Sequence, residues 1–201
     1  MKKLIKFTVI LGVMACTFGS LLAQNTVSKT GSSTGTVVTP ITLTWEQPLA
    51  FGQIVPSNTD GTACIGVTGL SVPSSDKINE TPVCVNCTAL STSEPNAYGG
   101  NKFPGPAVFE VTGQKNWHFA ITLPANTVVC HLIDLNPGGA PDLLVSSFTA
   151  VVGSPGVVGT HGTLSVGIGI MDFAVGGTLT VPANATPGRY QGAFSVSVNY
   201  D

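Results

Sequence analysis

Charge is scarce in this chain. Of 201 residues, 8 are Lys or Arg and 10 are Asp or Glu. No basic patch stands out, which argues against nucleic-acid binding, because neutralising phosphates takes clustered Lys or Arg. Long hydrophobic runs are also missing. Beyond the N-terminal segment no stretch reaches 18 consecutive apolar residues, so no transmembrane helix is expected in the mature chain. Sustained i, i+3, i+4 apolar spacing is absent there too, which excludes an amphipathic helical architecture. Catalytic signatures are lacking: there is no His-Glu-x-x-His, no Gly-x-Ser-x-Gly elbow and no phosphate-binding glycine loop ending in Lys-Ser or Lys-Thr. The chain reads as non-catalytic, with no cofactor.

What is present begins with an export signal. Lys2, Lys3 and Lys6 precede an apolar run from Phe7 to Ala15, and small residues lead to Ala23. Residues 1–23 are therefore read as a signal peptide cleaved after Ala23. The alternative is a loose lipobox ending in Cys16, which would make that residue a lipidated N-terminus. Either way the protein is expected in the periplasm, at the cell surface or outside the cell. Removing three of the eight basic residues leaves five against ten acids, a formal net charge of −5. Residues 24–35 are polar and small, a flexible leader. Residues 36–201 form one domain, long enough to bury a core without disulfides.

Four cysteines remain after the signal: Cys64, Cys84, Cys87 and Cys130. An even number in an exported protein predicts two disulfides. In an extended segment Cys84 and Cys87 would point to opposite faces, so each is expected to join a distant partner, Cys64 or Cys130. The competing reading is a zinc site of Cys84, Cys87, Cys130 and His131. Oxygen ligands for calcium could come from Asp134, Asn136 and Asp142, although solvated loop acids are the simpler reading.

Short stretches of alternating apolar residues recur every ten or so positions, with turn chemistry between them. Strands are expected at Ile41–Trp45, Leu49–Ile54, Thr62–Thr68, Val83–Thr88, Ala107–Thr112, Trp117–Leu123, Thr127–Leu135, Val145–Val152, Thr163–Ile170 and Thr178–Pro182. Gly52 marks a bulge or a close approach, and Gly176-Gly177-Thr178 reads as a hairpin turn. Ser91–Pro106 is a long loop, with Tyr98 its exposed aromatic. Trp45 and Trp117 lie on apolar parities and are expected in the core. His118 falls on a polar parity and His161 in a loop. Together these make an all-β chain, an antiparallel sandwich of two sheets around one core.

The last fourteen residues carry the clearest pattern. Tyr190, Gly192, Phe194, Val196, Val198 and Tyr200 share one parity, and Gln191, Ala193, Ser195, Ser197 and Asn199 the other. This predicts one half-buried strand running to the end of the chain. Tyr200 is penultimate, and Gly188 is fourteenth from the end. The tail resembles that of chaperone–usher pilus subunits, which pair such a glycine with alternating apolar residues and a penultimate aromatic.

Further motifs follow in order: Leu49-x-Phe51-Gly52-x-Ile54, Pro106-Ala107-x-Phe109-x-Val111-x-Gly113, Ile121-Thr122-Leu123-Pro124, Val175-Gly176-Gly177-Thr178-Leu179-x-Val181 and Gly188-x-Tyr190-x-Gly192. From about Ile41 to Asp201 the chain resembles an exported bacterial family termed domain of unknown function 4402. That resemblance implies an immunoglobulin-like sandwich related to fimbrial subunits, and no catalytic residues. The four cysteines and the Ser91–Pro106 loop depart from it.

The expected function is that of a structural or adhesive surface protein, such as a fimbrial subunit assembling by β-strand complementation. A periplasmic chaperone and like subunits would be its partners. Gly188, Phe194, Val196, Val198 and Tyr200 would serve strand pairing or chaperone recognition. Asn25–Gly35 lacks the alternating apolar residues of a donor strand. The alternative is a stand-alone binding module gripping a surface glycan through loops such as Ser91–Pro106.

Overall fold

The structure, a computed structural model, describes residues 27–68, 70, 72, 78–90, 94–95, 101–102, 104–131 and 143–201. The expected signal peptide lies outside these residues. Residues 27–37 are exposed and carry no regular element. From residue 38 onward the described chain is all-β, with antiparallel pairing throughout and no helix.

Among the described residues sixteen strands occur in chain order. They are β1 (Thr42–Gln47), β2 (Gln53–Pro56), β3 (Gly61–Ile65), β4 (Val83–Val85), β5 (Cys87–Leu90), β6 (Glu94–Pro95), β7 (Asn101–Lys102) and β8 (Ala107–Thr112). There follow β9 (His118–Thr122), β10 (Asn126–His131), β11 (Leu143–Val152), β12 (Val157–Val158), β13 (His161–Thr163), β14 (Ile170–Val181), β15 (Tyr190–Gln191) and β16 (Ser197–Tyr200). The large sheet runs β1-β8-β14-β11-β10-β15, with β12 on β11 and with β3 and β4 attached through β14. A smaller sheet runs β13-β9-β16, and β2 pairs β5 and β6 pairs β7 as separate ladders.

The large sheet is organised on β14. One edge of this strand pairs β11, and the other pairs β8 over Ile170–Val175 and then β3 over Gly177–Val181. The expected hairpin at Gly176-Gly177-Thr178 is therefore replaced by the middle of a strand. The glycine serves a close approach instead: a Cβ on Gly176 would lie 2.2 Å from the Ile65 carbonyl oxygen. Gly52 does mark a close approach, at φ +70 against Pro104.

Alternation along β14 divides its side chains between two faces. Phe173 and Val175 join Phe109, Val111, Ala150 and Val152 of the large sheet and Phe119 and Ile121 of the small one in a shared core. That packing of two sheets on one interior is a sandwich-like arrangement. Leu179 and Val181 enter a second cluster with Ala63, Leu143 and Val145, against which Ile54, Cys84, Cys87 and Tyr190 pack. On the opposite face, Ala174 lies with Val67, Val72, Val108 and Val151. Gln47 is buried there, and its amide is satisfied: Nε2 donates to Ile78 O at 2.8 Å and Pro106 O at 3.0 Å, and Oε1 accepts from Ile78 N at 3.1 Å.

Three further expectations are corrected. Thr163–Ile170 is not a strand beyond Thr163. Ser165 Oγ accepts from the amides of Gly169 and Ile170, both at 3.1 Å, and this tight turn leaves Val166 and Ile168 74% and 70% exposed. The Val83–Thr88 strand divides at Asn86, whose φ is 52. The Ser91–Pro106 loop contains the β6–β7 ladder, with Glu94 opposite Lys102; Tyr98 lies outside the described residues.

Candidate functional site

The C-terminal tail is two short strands rather than one. Tyr190 and Gln191 pair with β10 in the large sheet, whereas Ser197–Tyr200 pair with β9 in the small sheet. The link must cross between the sheets, so it belongs to neither ladder. Thr127 Oγ1 donates to Ala193 O at 2.5 Å as the link passes. Phe194 then packs edge-on to Phe109, with ring centroids 6.3 Å apart, and lies 5.0 Å from Phe148. The parity survives this crossing. Phe194, Val196, Val198 and Tyr200 are half-buried against the shared core, while Ser195, Ser197 and Asn199 are exposed. Gly188 lies in the exposed bend ahead of β15.

β16 ends the small sheet and β1 ends the large one. The two strands pass close to each other, and among the described residues no ladder joins them. Their relative direction follows from two contacts. Tyr200 lies at Thr39, just before β1, and Phe194 touches Phe109, the register partner of Trp45 near the end of β1. The tail therefore runs antiparallel past β1. Tyr200 ties one end shut: its hydroxyl donates to Thr39 O and accepts from Gln114 N, each at 2.6 Å. Thr39 N and Oγ1 also donate to Gln114 Oε1, both at 3.1 Å. Away from this clasp the apolar row stays incompletely covered. Ile41, Leu43, Phe194, Val196 and Val198 are all half-buried.

Both tryptophans lie at the surface, contrary to their expected place in the core. Trp45 is 45% exposed and Trp117 is 40% exposed. Alternation does put Trp45 on the inner face, but β1 is an edge strand, so part of that face is uncovered. Trp117 precedes β9 and stacks edge-on against Tyr200, with centroids 5.3 Å apart.

The register also assembles acids that the sequence leaves scattered. Thr44, Glu110 and Asp172 face one another across β1, β8 and β14, on the side of the sheet away from the shared core. Asp172 is buried, with 6% of its surface exposed. Desolvation, then the charges of Glu110 and Glu46, push its carboxyl up to about 6. Glu110 Oε1 accepts from Thr112 Oγ1 at 3.4 Å.

Cys84 and Cys87 are bonded to each other, with Cα atoms 5.3 Å apart. The expectation of two distant partners assumed an extended backbone. The left-handed Asn86 breaks that extension and turns the two side chains together. Cys64 is half-buried and is not in a disulfide. A bonded pair supplies no thiolates, so the zinc reading loses two of its ligands. The side chains of Cys130 and His131, together with Asp134, Asn136 and Asp142, lie outside what is described. Among the described residues no cluster of three or more His, Cys, Asp or Glu side chains could hold a metal ion. His118 is exposed and its Nδ1 lies 2.8 Å from Thr163 Oγ1; His161, on β13 rather than in a loop, lies 3.8 Å from Asp201. No helix among the described residues is long and apolar enough to cross a membrane.

Neither the curated proteins nor the solved structures hold a match to this chain. Residues 41–200 match the family described as domain of unknown function (DUF4402), a span that runs from the start of β1 through Tyr200 and takes in both edge strands. The chain belongs to the DUF4402 family.

Proposed function

We propose that this is an exported, non-catalytic structural or adhesive surface protein that accepts an extended strand from a partner along its open side. One observation carries the reading: among the described residues the two edge strands β1 and β16 pass each other without a ladder, and their facing apolar side chains remain half-buried. A strand laid there gains backbone hydrogen bonds and covers those side chains, which is the physics of β-augmentation. An uncovered edge of this kind is also an aggregation hazard, so a periplasmic chaperone that covers it before assembly belongs to the same proposal. The likeness of the tail to that of pilus subunits supports a fimbrial role, and the basic start and apolar run of residues 2–15 support export.

The test is association of residues 24–201, followed by light scattering with and without a blocked alternating Thr/Val peptide. Peptide capture, lost in Val198→Lys, is the expected result. A protein that stays monomeric and binds no extended peptide overturns the reading.

A second reading, a glycan-binding module, is favoured by the partial exposure of Trp45 and Trp117. Exposed aromatic faces stack on sugar rings. Glycan-array binding lost in Trp117→Ala, with strand capture unchanged, would support it.

A further inference from the structure

One end of the sandwich is apolar at its surface. β8 ends and β14 begins there, with Thr112 opposite Ile170, and the two turns beyond them lie side by side. Gly113 N donates to Gly169 O at 2.9 Å, Leu164 N to Trp117 O at 2.9 Å and Asn116 N to Leu164 O at 3.1 Å. Leu164 is buried beneath, and the Ser165 hydroxyl closes the second turn, so its tip is held in place. That tip carries Val166 and Ile168 on either side of Gly167, all three exposed. Trp117 lies at the base, partly exposed, with its ring edge-on to Tyr200. Lys115 is exposed beside it, its Cγ 3.4 Å from where a Cβ on Gly169 would stand. Val157, at the start of β12, is exposed at the same end. At the opposite end of β14, where Val181 pairs Gly61, the described turns are polar: Asn58, Thr59, Asp60, Thr186 and Arg189 are exposed there.

We propose that the paired turns form a docking tip for a phospholipid bilayer, with Val166 and Ile168 entering between the headgroups, Trp117 at headgroup level and Lys115 on a lipid phosphate. Aliphatic groups held out on a braced turn gain by leaving water, and clustered exposed apolar surface marks contact with a protein or a membrane. Shape and composition favour lipid. A stable protein interface takes about 20–30 residues a side, far more than two turns supply. A protruding tip would also need a matching hollow in a protein, whereas fluid lipid closes around it. Trp favours the headgroup level, where its ring is part apolar and part wet. A lysine there lays its methylenes along the apolar tip while its ammonium meets phosphate. Asp201, an acid at the same end, lies towards β13, 3.8 Å from His161. The contact is shallow and calls for no spanning segment. It goes beyond strand acceptance and does not depend on it.

Flotation of residues 24–201 with vesicles of phosphatidylethanolamine and phosphatidylglycerol tests this. The parent should float with the vesicles, and in a Trp45→Phe background its fluorescence should shift to the blue as Trp117 leaves water. Val166→Ser combined with Ile168→Ser should bind roughly ten-fold more weakly, because two aliphatic groups no longer leave water. Both side chains lie outside the core, so the fold should persist. Val83→Ser combined with Val85→Ser is the control: these valines are 70% and 59% exposed on β4, and vesicle binding should hold. Lys115→Gln should weaken binding by a few-fold at low salt and leave it unchanged at high salt. Failure of the parent to float, or equal losses in the tip and control variants, overturns the proposal. So does a tip variant that keeps its vesicle binding but loses self-association, measured by light scattering without vesicles, since the tip would then serve a second copy of the chain.

Discussion

The two flanks of this molecule carry the same period-two pattern and meet opposite fates. On the closed flank Phe119, Phe173, Val111 and Val175 have no exposed surface. On the open flank Leu43, Val196 and Val198 are half-buried and Trp45 is 45% exposed. Composition does not separate them, since each set is aliphatic and aromatic. Neighbours do: among the described residues β14 has partners along both edges, while β1 and β16 each pair with one strand. Burial of an apolar strand face thus depends on what flanks the strand.

Truncating one phenylalanine from each flank gives the sharpest contrast. Phe173 is fully buried and stacks on Phe109 at 5.2 Å, so Phe173→Ala should destabilise by about 3–5 kcal/mol. Phe194 is half-buried, and Phe194→Ala should cost about half as much. Urea denaturation of both variants measures the difference. Equal losses would mean that the open flank is packed as tightly as the closed one. A bound partner strand should widen the loss at Phe194 and leave that at Phe173 unchanged.

The alternation that makes Phe194 half-buried was legible in the sequence, as were most of the strands, because a period of two survives any choice of neighbours. What was not legible depends on pairing. Gly176-Gly177 looks like a turn when read locally; only the passage of β3 at Ile65 explains a glycine in mid-strand. Val166 and Ile168 keep strand parity, yet the Ser165 hydroxyl satisfies the backbone amides of a turn. The tail's parity was evident, but its transfer from β10 to β9 follows from where the two sheets lie. Trp45 has inner-face parity and still reaches solvent because its strand is an edge. The acidic row of Glu110 and Asp172 exists only through the register of β8 and β14.

The flanks also differ in what fastens their ends. At the β4–β5 corner, beside the second core cluster, the fastening is the Cys84–Cys87 bond. A loop this short constrains the unfolded chain modestly, so Cys84→Ser with Cys87→Ser should lose about 2 kcal/mol. On the open flank the fastening is the Tyr200 hydroxyl. Tyr200→Phe keeps the ring against Trp117 but removes both hydrogen bonds, for about 1–2 kcal/mol. Thermal unfolding compares the two, and amide exchange at Gln114 should accelerate in Tyr200→Phe alone. Unchanged exchange there would show that the clasp does not close that end.

A final contrast is electrostatic and lies on the other face of the large sheet. Asp172 has its pKa raised from 3.8 to about 6, by burial first and then by Glu110 and Glu46. A carboxyl with a higher pKa folded than unfolded binds more protons in the folded state between those two values. Its contribution therefore stabilises the fold as pH falls through about 6 towards 3.8, and is lost as pH rises again. Asp172→Asn should flatten this part of the stability profile, raising the melting temperature most at neutral pH, where the buried charge is otherwise carried. A variant whose profile runs parallel to the parent across that window would mean that Asp172 is already compensated.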